Sequence, residues 1–140
     1  MTFLLDTNVV SEWVKPDPDQ GVVTWLDTVD EDRVYLSVIT IAELHYGVAR
    51  LALGQRRDRL ADWVQVHLPE RFERRILWID IDTARIWGEL MARSQRVGRT
   101  SGAMDGLMAA TAQQHDLTLV TRNVTDFAAF GIHVLNPWMT

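Results

Sequence analysis

Five places in this sequence pair a residue type with a position where chemistry could be done. Asp6 closes the apolar run FLLD, Glu43 lies in ITIAELHYGVA, and Asp105 lies in the small-residue stretch GAMDGLMAA; Asn123 and Asp126 share the segment TRNVTD. Each has a plain structural alternative. Asp6 can cap a following helix, Thr40-x-x-Glu43 matches a capping box, and Asp105 can favour a helix N-terminus. Asn123 can cap the short helix holding Asp126. Together the acids suggest something else. Carboxylates gathered in apolar surroundings are costly to bury and raise one another's proton affinity. Hard divalent cations with oxygen ligands relieve that repulsion. The chain has no Cys and no HExxH or HxxxH pair, so the pattern points to Mg²⁺ or Mn²⁺ and away from zinc.

For these residues to meet, distant segments must be brought side by side, and the hydrophobic pattern supplies the means. FLLD (3–6), VYLSVI (34–39), RILWIDI (75–81), LTLVT (117–121) and IHVLN (132–136) read as five strands. Helical spacing fills the gaps. TNVVSEWV runs to Pro16, and GVVTWLDTV carries an apolar face of Val22, Val23, Leu26 and Val29. ITIAELHYGVARLAL ends at Gly54, and RRDRLADWVQVHL stops before Pro69. DTARIWGELMARSQRVG takes Asp82 as N-cap and Gly98 past its end; GAMDGLMAATAQQH and NVTDFAAF complete the set. Strand and helix alternating throughout predict an α/β fold, an open parallel sheet with helices on both faces, as a single domain over residues 1–140. Ligands of such sheets sit beyond the carboxyl ends of the strands, where the strand order reverses. The acids after the first, second and fourth strands fall there.

Composition narrows the function classes. The net charge is −5, with thirteen Arg and a single Lys, which speaks mildly against a nucleic-acid partner. Two bound divalent ions would bring that charge to about −1 and weaken the objection. Lys15 lies in VKPDPD, and no GxGxxG occurs, so phosphate-loop and dinucleotide-binding readings lack support. No segment has the pattern of a secretory signal or a membrane span, so the expectation is a cytoplasmic protein with no membrane partner.

The blocks LLDTNVVSE, ITIAELHYGVA, MDGLMAATAQQHDLTLVTRNVTDF and NPW, in that order from Phe3 to Trp138, resemble the PIN-domain ribonucleases, and more narrowly the VapC and FitB-type toxins of bacterial toxin–antitoxin pairs. The resemblance implies a five-stranded parallel sheet of order 3-2-1-4-5, flanked by helices, with an acidic pocket beside strands one and four. It implies Mg²⁺- or Mn²⁺-dependent endoribonuclease activity, in which a metal-activated water attacks phosphorus and leaves 5′-phosphate and 3′-hydroxyl ends. Asp6, Glu43 and Asp105 match the family's main acids. Asp126 is the favoured fourth acid, and Asn8, Thr121 and Asn123 match supporting polar positions. Arg122, beside the pocket, is the candidate for an RNA phosphate contact. The partners implied are RNA, a cognate antitoxin in a groove beside Val10, Trp13 and Val14, a second copy in a homodimer, and operator DNA through the antitoxin only.

Two rival functions remain open at this level. An acid–base ribonuclease without metal needs two convergent histidines, whereas His45, His67, His115 and His133 fall on separate elements. A PIN module with weak or no catalysis, acting with its antitoxin in DNA-binding regulation, is favoured by Asn123 and opposed by the three acids. Asp80 and Asp82 in WIDID read as helix-capping residues outside the site. The arginine groups 50, 56, 57, 59 and 93, 96, 99 read as solvated helix faces, with RNA contact as the alternative.

Overall fold

The structure, a computed structural model, describes residues 1–99 and 101–139, the last by its backbone only. Five strands form one parallel sheet: β1 Phe3–Leu5, β2 Val34–Ser37, β3 Ile76–Leu77, β4 Thr118–Val120 and β5 Val134–Leu135. Their order is β3-β2-β1-β4-β5, as expected. Phe3 aligns with Val34 on one side and Thr118 on the other. Strand order therefore reverses between β1 and β4, and a crevice opens past their carboxyl ends.

The central strand shows why the apolar run is continuous rather than alternating. Leu4 packs into one helical layer and Leu5 into the other, both fully buried, since successive side chains point to opposite faces. The first layer contains α6 (Ile81–Arg96) and α7 (Ala103–Gln114), which supply Ile86, Leu90, Met108 and Ala109; α8 (Val124–Phe127) adds Phe127. The second layer is built from α1 (Thr7–Ser11), α2 (Gln20–Thr28), α3 (Val38–Ala49), α4 (Gln55–Asp62) and α5 (Leu68–Arg71). Its core includes Val9, Val10, Val22, Leu44 and Leu68.

Several boundaries differ from expectation, each for a physical reason. The second strand stops at Ser37, whose hydroxyl accepts from Ile39 N at 3.0 Å, so Val38 and Ile39 start α3 despite their β-branching. The third strand shortens to two residues because Asp80 begins α6. Asp80, and not Asp82, is the N-cap: its carboxylate accepts from Thr83 N at 3.0 Å, and Thr83 Oγ1 accepts from Asp80 N at 3.2 Å. Gly54, with φ 155°, precedes α4 instead of ending α3, which closes at Ala49. Pro69 does not stop its helix. The turn Trp63–His67 widens to a π-helical one, with Leu68 N bonding to Trp63 O, and the chain passes through Pro69 into α5. A proline ring collides with the carbonyl four residues earlier, and a locally widened turn relieves that collision.

Candidate active site

Asp6 sits where β1 ends and α1 starts, and it does two jobs at once. Its backbone N–H still belongs to the sheet, donating to Val120 O at 2.9 Å. One carboxylate oxygen caps α1 by accepting from Thr7 N at 2.8 Å. The other accepts from Thr121 Oγ1 at 2.8 Å and from Asn8 Nδ2 at 3.5 Å. Capping and site placement are thus the two sides of one carboxyl group. Asp6 is only 7% exposed. Burial is the largest influence on it and raises its proton affinity above the usual carboxylate value, against the opposing bonds from Thr121 and Thr7.

Glu43 reaches the same place from α3. Ser37 caps that helix, so Thr40 is its third residue and Glu43 lies one turn further in; the capping-box reading of Thr40-x-x-Glu43, and with it a first-turn placement, does not hold. Thr40 is buried, with its hydroxyl donating to Leu5 O at 3.4 Å. Glu43 is instead held by Thr7, whose Oγ1 donates to Glu43 Oε1 at 2.7 Å. Thr7 escaped the sequence analysis. Its backbone binds Asp6 while its hydroxyl binds Glu43, so one residue spaces two acids. The only sequence signal for it was its position between Asp6 and Asn8.

Asp105 occupies the first turn of α7 and is half-buried. Its carboxyl is pushed up to about 6, first by burial and then by the charges of Asp6, Asp126 and Glu43. That combination locates it: the three other acids are close enough to repel it. Asp6 likewise feels Glu43 and Asp126. Asp126 is exposed on α8. The strand-end turn preceding α8 is tied to the pocket, since Asn123 N donates to Thr121 Oγ1 at 2.9 Å and Arg122 N to Asn8 Oδ1 at 3.5 Å. Asn123 stands at the N-cap position of α8, but its side chain makes no capping bond.

Among the ion pairs of the described residues, none involves Asp6, Glu43, Asp105 or Asp126. The hollow is a set of hard oxygen donors whose mutual repulsion no guanidinium or ammonium relieves. This fits a hard divalent cation. Among the described residues no group of three or more acidic or imidazole side chains is placed to hold a metal ion by itself; a cation that keeps several of its own waters would bridge the remaining distance.

The remaining candidates lie elsewhere. Asp80 belongs to a capping network with Thr83 and Gln114. His67 pairs with Asp62 at 2.9 Å on an exposed helix face. His115 and His133 line depressions at the amino-terminal end of the sheet, with Thr2 shared by both. The one beside His133 is wide, about 790 Å³, but it gathers no group of acids; volume does not mark the chemistry here. A narrower groove of about 210 Å³ runs between Ser11, Val14, Leu44, Val48, Arg56 and Trp63. Val10 is not on it but fully buried, and Trp13 packs on Phe72 beneath Arg71. Of the three residues expected beside an antitoxin groove, Val14 lines it. No helix among the described residues is long and apolar enough to cross a membrane.

Comparison with known proteins agrees with this fold. Over 136 residues the chain is 42% identical to Toxin FitB of Neisseria gonorrhoeae, covering 97% of this chain and 98% of that protein. It is 38% identical to VapC ribonuclease Y4jK of Sinorhizobium fredii over 136 residues, 97% of each chain. A solved structure of FitAB bound to an IR36 DNA fragment superposes with a TM-score of 0.93 at 40% identity, covering 98% of this chain and 96% of that one. The family model described as PIN domain matches residues 3–131. With the acids converging past β1 and β4, and with that match across the fold, the chain belongs to the PIN-domain family.

Proposed function

We propose that this chain is the toxin of a type II toxin–antitoxin pair, an endoribonuclease that hydrolyses RNA phosphodiester bonds with the help of Mg²⁺ or Mn²⁺ in the cytoplasm. The observation that carries this reading is the mutual repulsion of Asp6, Glu43, Asp105 and Asp126, none of which joins an ion pair among those of the described residues. The names of the relatives, a toxin and a ribonuclease, point the same way.

Asp6 and Asp105 would hold the ion, with Glu43 and Asp126 completing the set directly or through water. A bound divalent cation supplies activation of the attacking water and neutralisation of phosphate charge. The chain's own residues do the rest. Thr7 and Thr121 fix Asp6 from both sides, and Asn8 supports the oxygen shared with Thr121. Thr7 also fixes the Glu43 carboxylate, which would orient the attacking water and accept its proton. Asn123 buttresses the turn that carries Arg122, and Arg122 binds an RNA phosphate at the rim.

The partners follow from the same reading. The FitAB structure holds DNA, so an antitoxin that binds operator DNA is the companion proposed for this chain. Its segment would lie in the apolar groove of Val14, Leu44, Val48 and Trp63, with Arg56 at the edge. The toxin itself is proposed to be a homodimer.

The test is end mapping of total RNA after brief expression of the chain and of Asp6→Ala. Cleaved ends carrying 5′-phosphate that appear only with the unaltered chain support the reading, as does their suppression by chelator in vitro. Equal cleavage by Asp6→Ala, or full activity in EDTA, refutes it.

A further inference from the structure

Arg122, like Arg50, Arg71 and Arg75, rests its guanidinium over an aromatic ring, and it does so from the turn that is tied to Asp6 through Thr121. Its backbone is fixed at the pocket edge, between Thr121, which binds Asp6, and Asn123, whose N–H returns to Thr121. Its guanidinium carbon lies 5.5 Å from the centroid of the Trp138 ring. The residue is exposed and joins no ion pair among those of the described residues. This is unexpected on charge alone. A long, flexible cation next to several carboxylates is drawn toward them, since opposite charges attract over several ångströms even at high effective dielectric. Arg122 instead stacks on an indole.

Trp138 is suited to hold it. Its indole packs against the core layer of Leu5, Val9, Val10 and Val120, and the Trp138 backbone N–H donates to Asn136 Oδ1 at 3.0 Å just past β5. The ring is therefore half-buried and fixed by the fold, with a face left for the guanidinium. Pinning a free arginine side chain on binding costs rotamer entropy, and a contact that arranges it beforehand lowers that cost.

We propose that Trp138 is a positioning residue for RNA binding: its ring holds the Arg122 guanidinium at the rim of the acidic hollow, available to a phosphate and kept off the carboxylates. The proposal rests on the ribonuclease reading above. It predicts that an aromatic ring is required at position 138, and that the requirement disappears when Arg122 is absent.

The experiment measures binding of a fluorescent single-stranded oligoribonucleotide by anisotropy, in full-length chains carrying Asp105→Asn to stop cleavage. Trp138→Leu keeps apolar bulk without a π face, and Trp138→Tyr keeps the face. Trp138→Leu should weaken binding about two- to fivefold, the range of an exposed cation–π contact, while Trp138→Tyr stays near the parent. Arg122→Ala should also flatten the slope of log K against log salt by about 0.7, one phosphate on a single strand. Adding Trp138→Leu to Arg122→Ala should then change nothing further. The proposal is overturned if Trp138→Leu weakens binding as much with Arg122→Ala as without it, or if Trp138→Tyr loses as much as Trp138→Leu. It is overturned too if Trp138→Leu melts at the parent temperature and binds RNA as the parent does. Failure of the unaltered chain to bind or cut RNA would bring down the ribonuclease reading as well, a result distinct from these.

Discussion

Replacing Asp105 with Asn should make the metal-free protein more stable at neutral pH. The usual carboxylate value is 3.8, and Asp105 is held up to about 6 by burial and by Asp6, Asp126 and Glu43. A carboxyl raised in the folded state binds more protons there than in the unfolded chain. Stability from this group is therefore fully present below its ordinary value and is lost as pH climbs through about 6. For a fully buried group the displacement would amount to about 3 kcal/mol. Asp105 is half exposed, and solvent screening reduces that to about 1 kcal/mol. The variant also forgoes a favourable charge in the first turn of α7, worth about 0.3–1 kcal/mol, so a net gain of about 0.5 kcal/mol at pH 7.5 is expected. That corresponds to a rise in Tm of about 1–2 °C. Thermal unfolding in chelator at several pH values from 4.5 to 8 measures it. The two proteins should differ least at the acid end and separate in the variant's favour above pH 6. Residual pH dependence should remain in both, because Asp6 is raised as well. Equal pH dependence in both proteins, or a variant less stable at pH 7.5, refutes the claim that Asp105 stands among like charges.

Three further outcomes are expected. Thr7→Val removes the hydroxyl bond to Glu43 and should slow single-turnover RNA cleavage about tenfold or more, the scale of a hydrogen bond to a charged group; Thr7→Ser should restore most of the rate, and an unaffected Thr7→Val would remove Thr7 from the site. Gly106→Ala places a Cβ 2.6 Å from Met91 Sδ and 2.9 Å from Trp87 Nε1; Met91 can yield, but Trp87 is tied to Ala103 O at 3.1 Å, so urea unfolding should show a loss of about 1–3 kcal/mol. Asp80→Ala removes the cap of α6 and its bonds to Gln114, which should lower Tm while leaving the cleavage rate unchanged; a drop in rate at unchanged Tm would place Asp80 in the site.

How much of this could be read in the sequence varies with the distance over which each feature is decided. The parallel sheet followed from alternation of elements, its strand order from the family resemblance, and the position of Asp6 from an apolar run ending in an acid. The meeting of Asp105 with Asp6 depends on α7 packing beside β1 and β4, which the spacing alone does not give; the family resemblance supplied it. Local motifs misled where tertiary contacts intervened. Thr40-x-x-Glu43 has the form of a capping box, but Ser37 takes the cap and leaves Thr40 to bond with Leu5 O. Pro69 reads as a stop, but the widened turn from Trp63 to His67 lets the chain continue. Thr7 went unnoticed because its partner Glu43 lies thirty-six residues away, beyond the reach of any local pattern.

The central claim, that these four acids form one cation site, is most directly tested by Mn²⁺ binding followed through the paramagnetic resonance of free Mn²⁺. The unaltered chain is predicted to take up one or two ions, with RNA cleavage rising in step with occupancy, and the Asp6→Asn/Asp105→Asn double variant to take up none at the same concentrations. Undiminished uptake by the double variant, or cleavage at full rate with no ion bound, would contradict it.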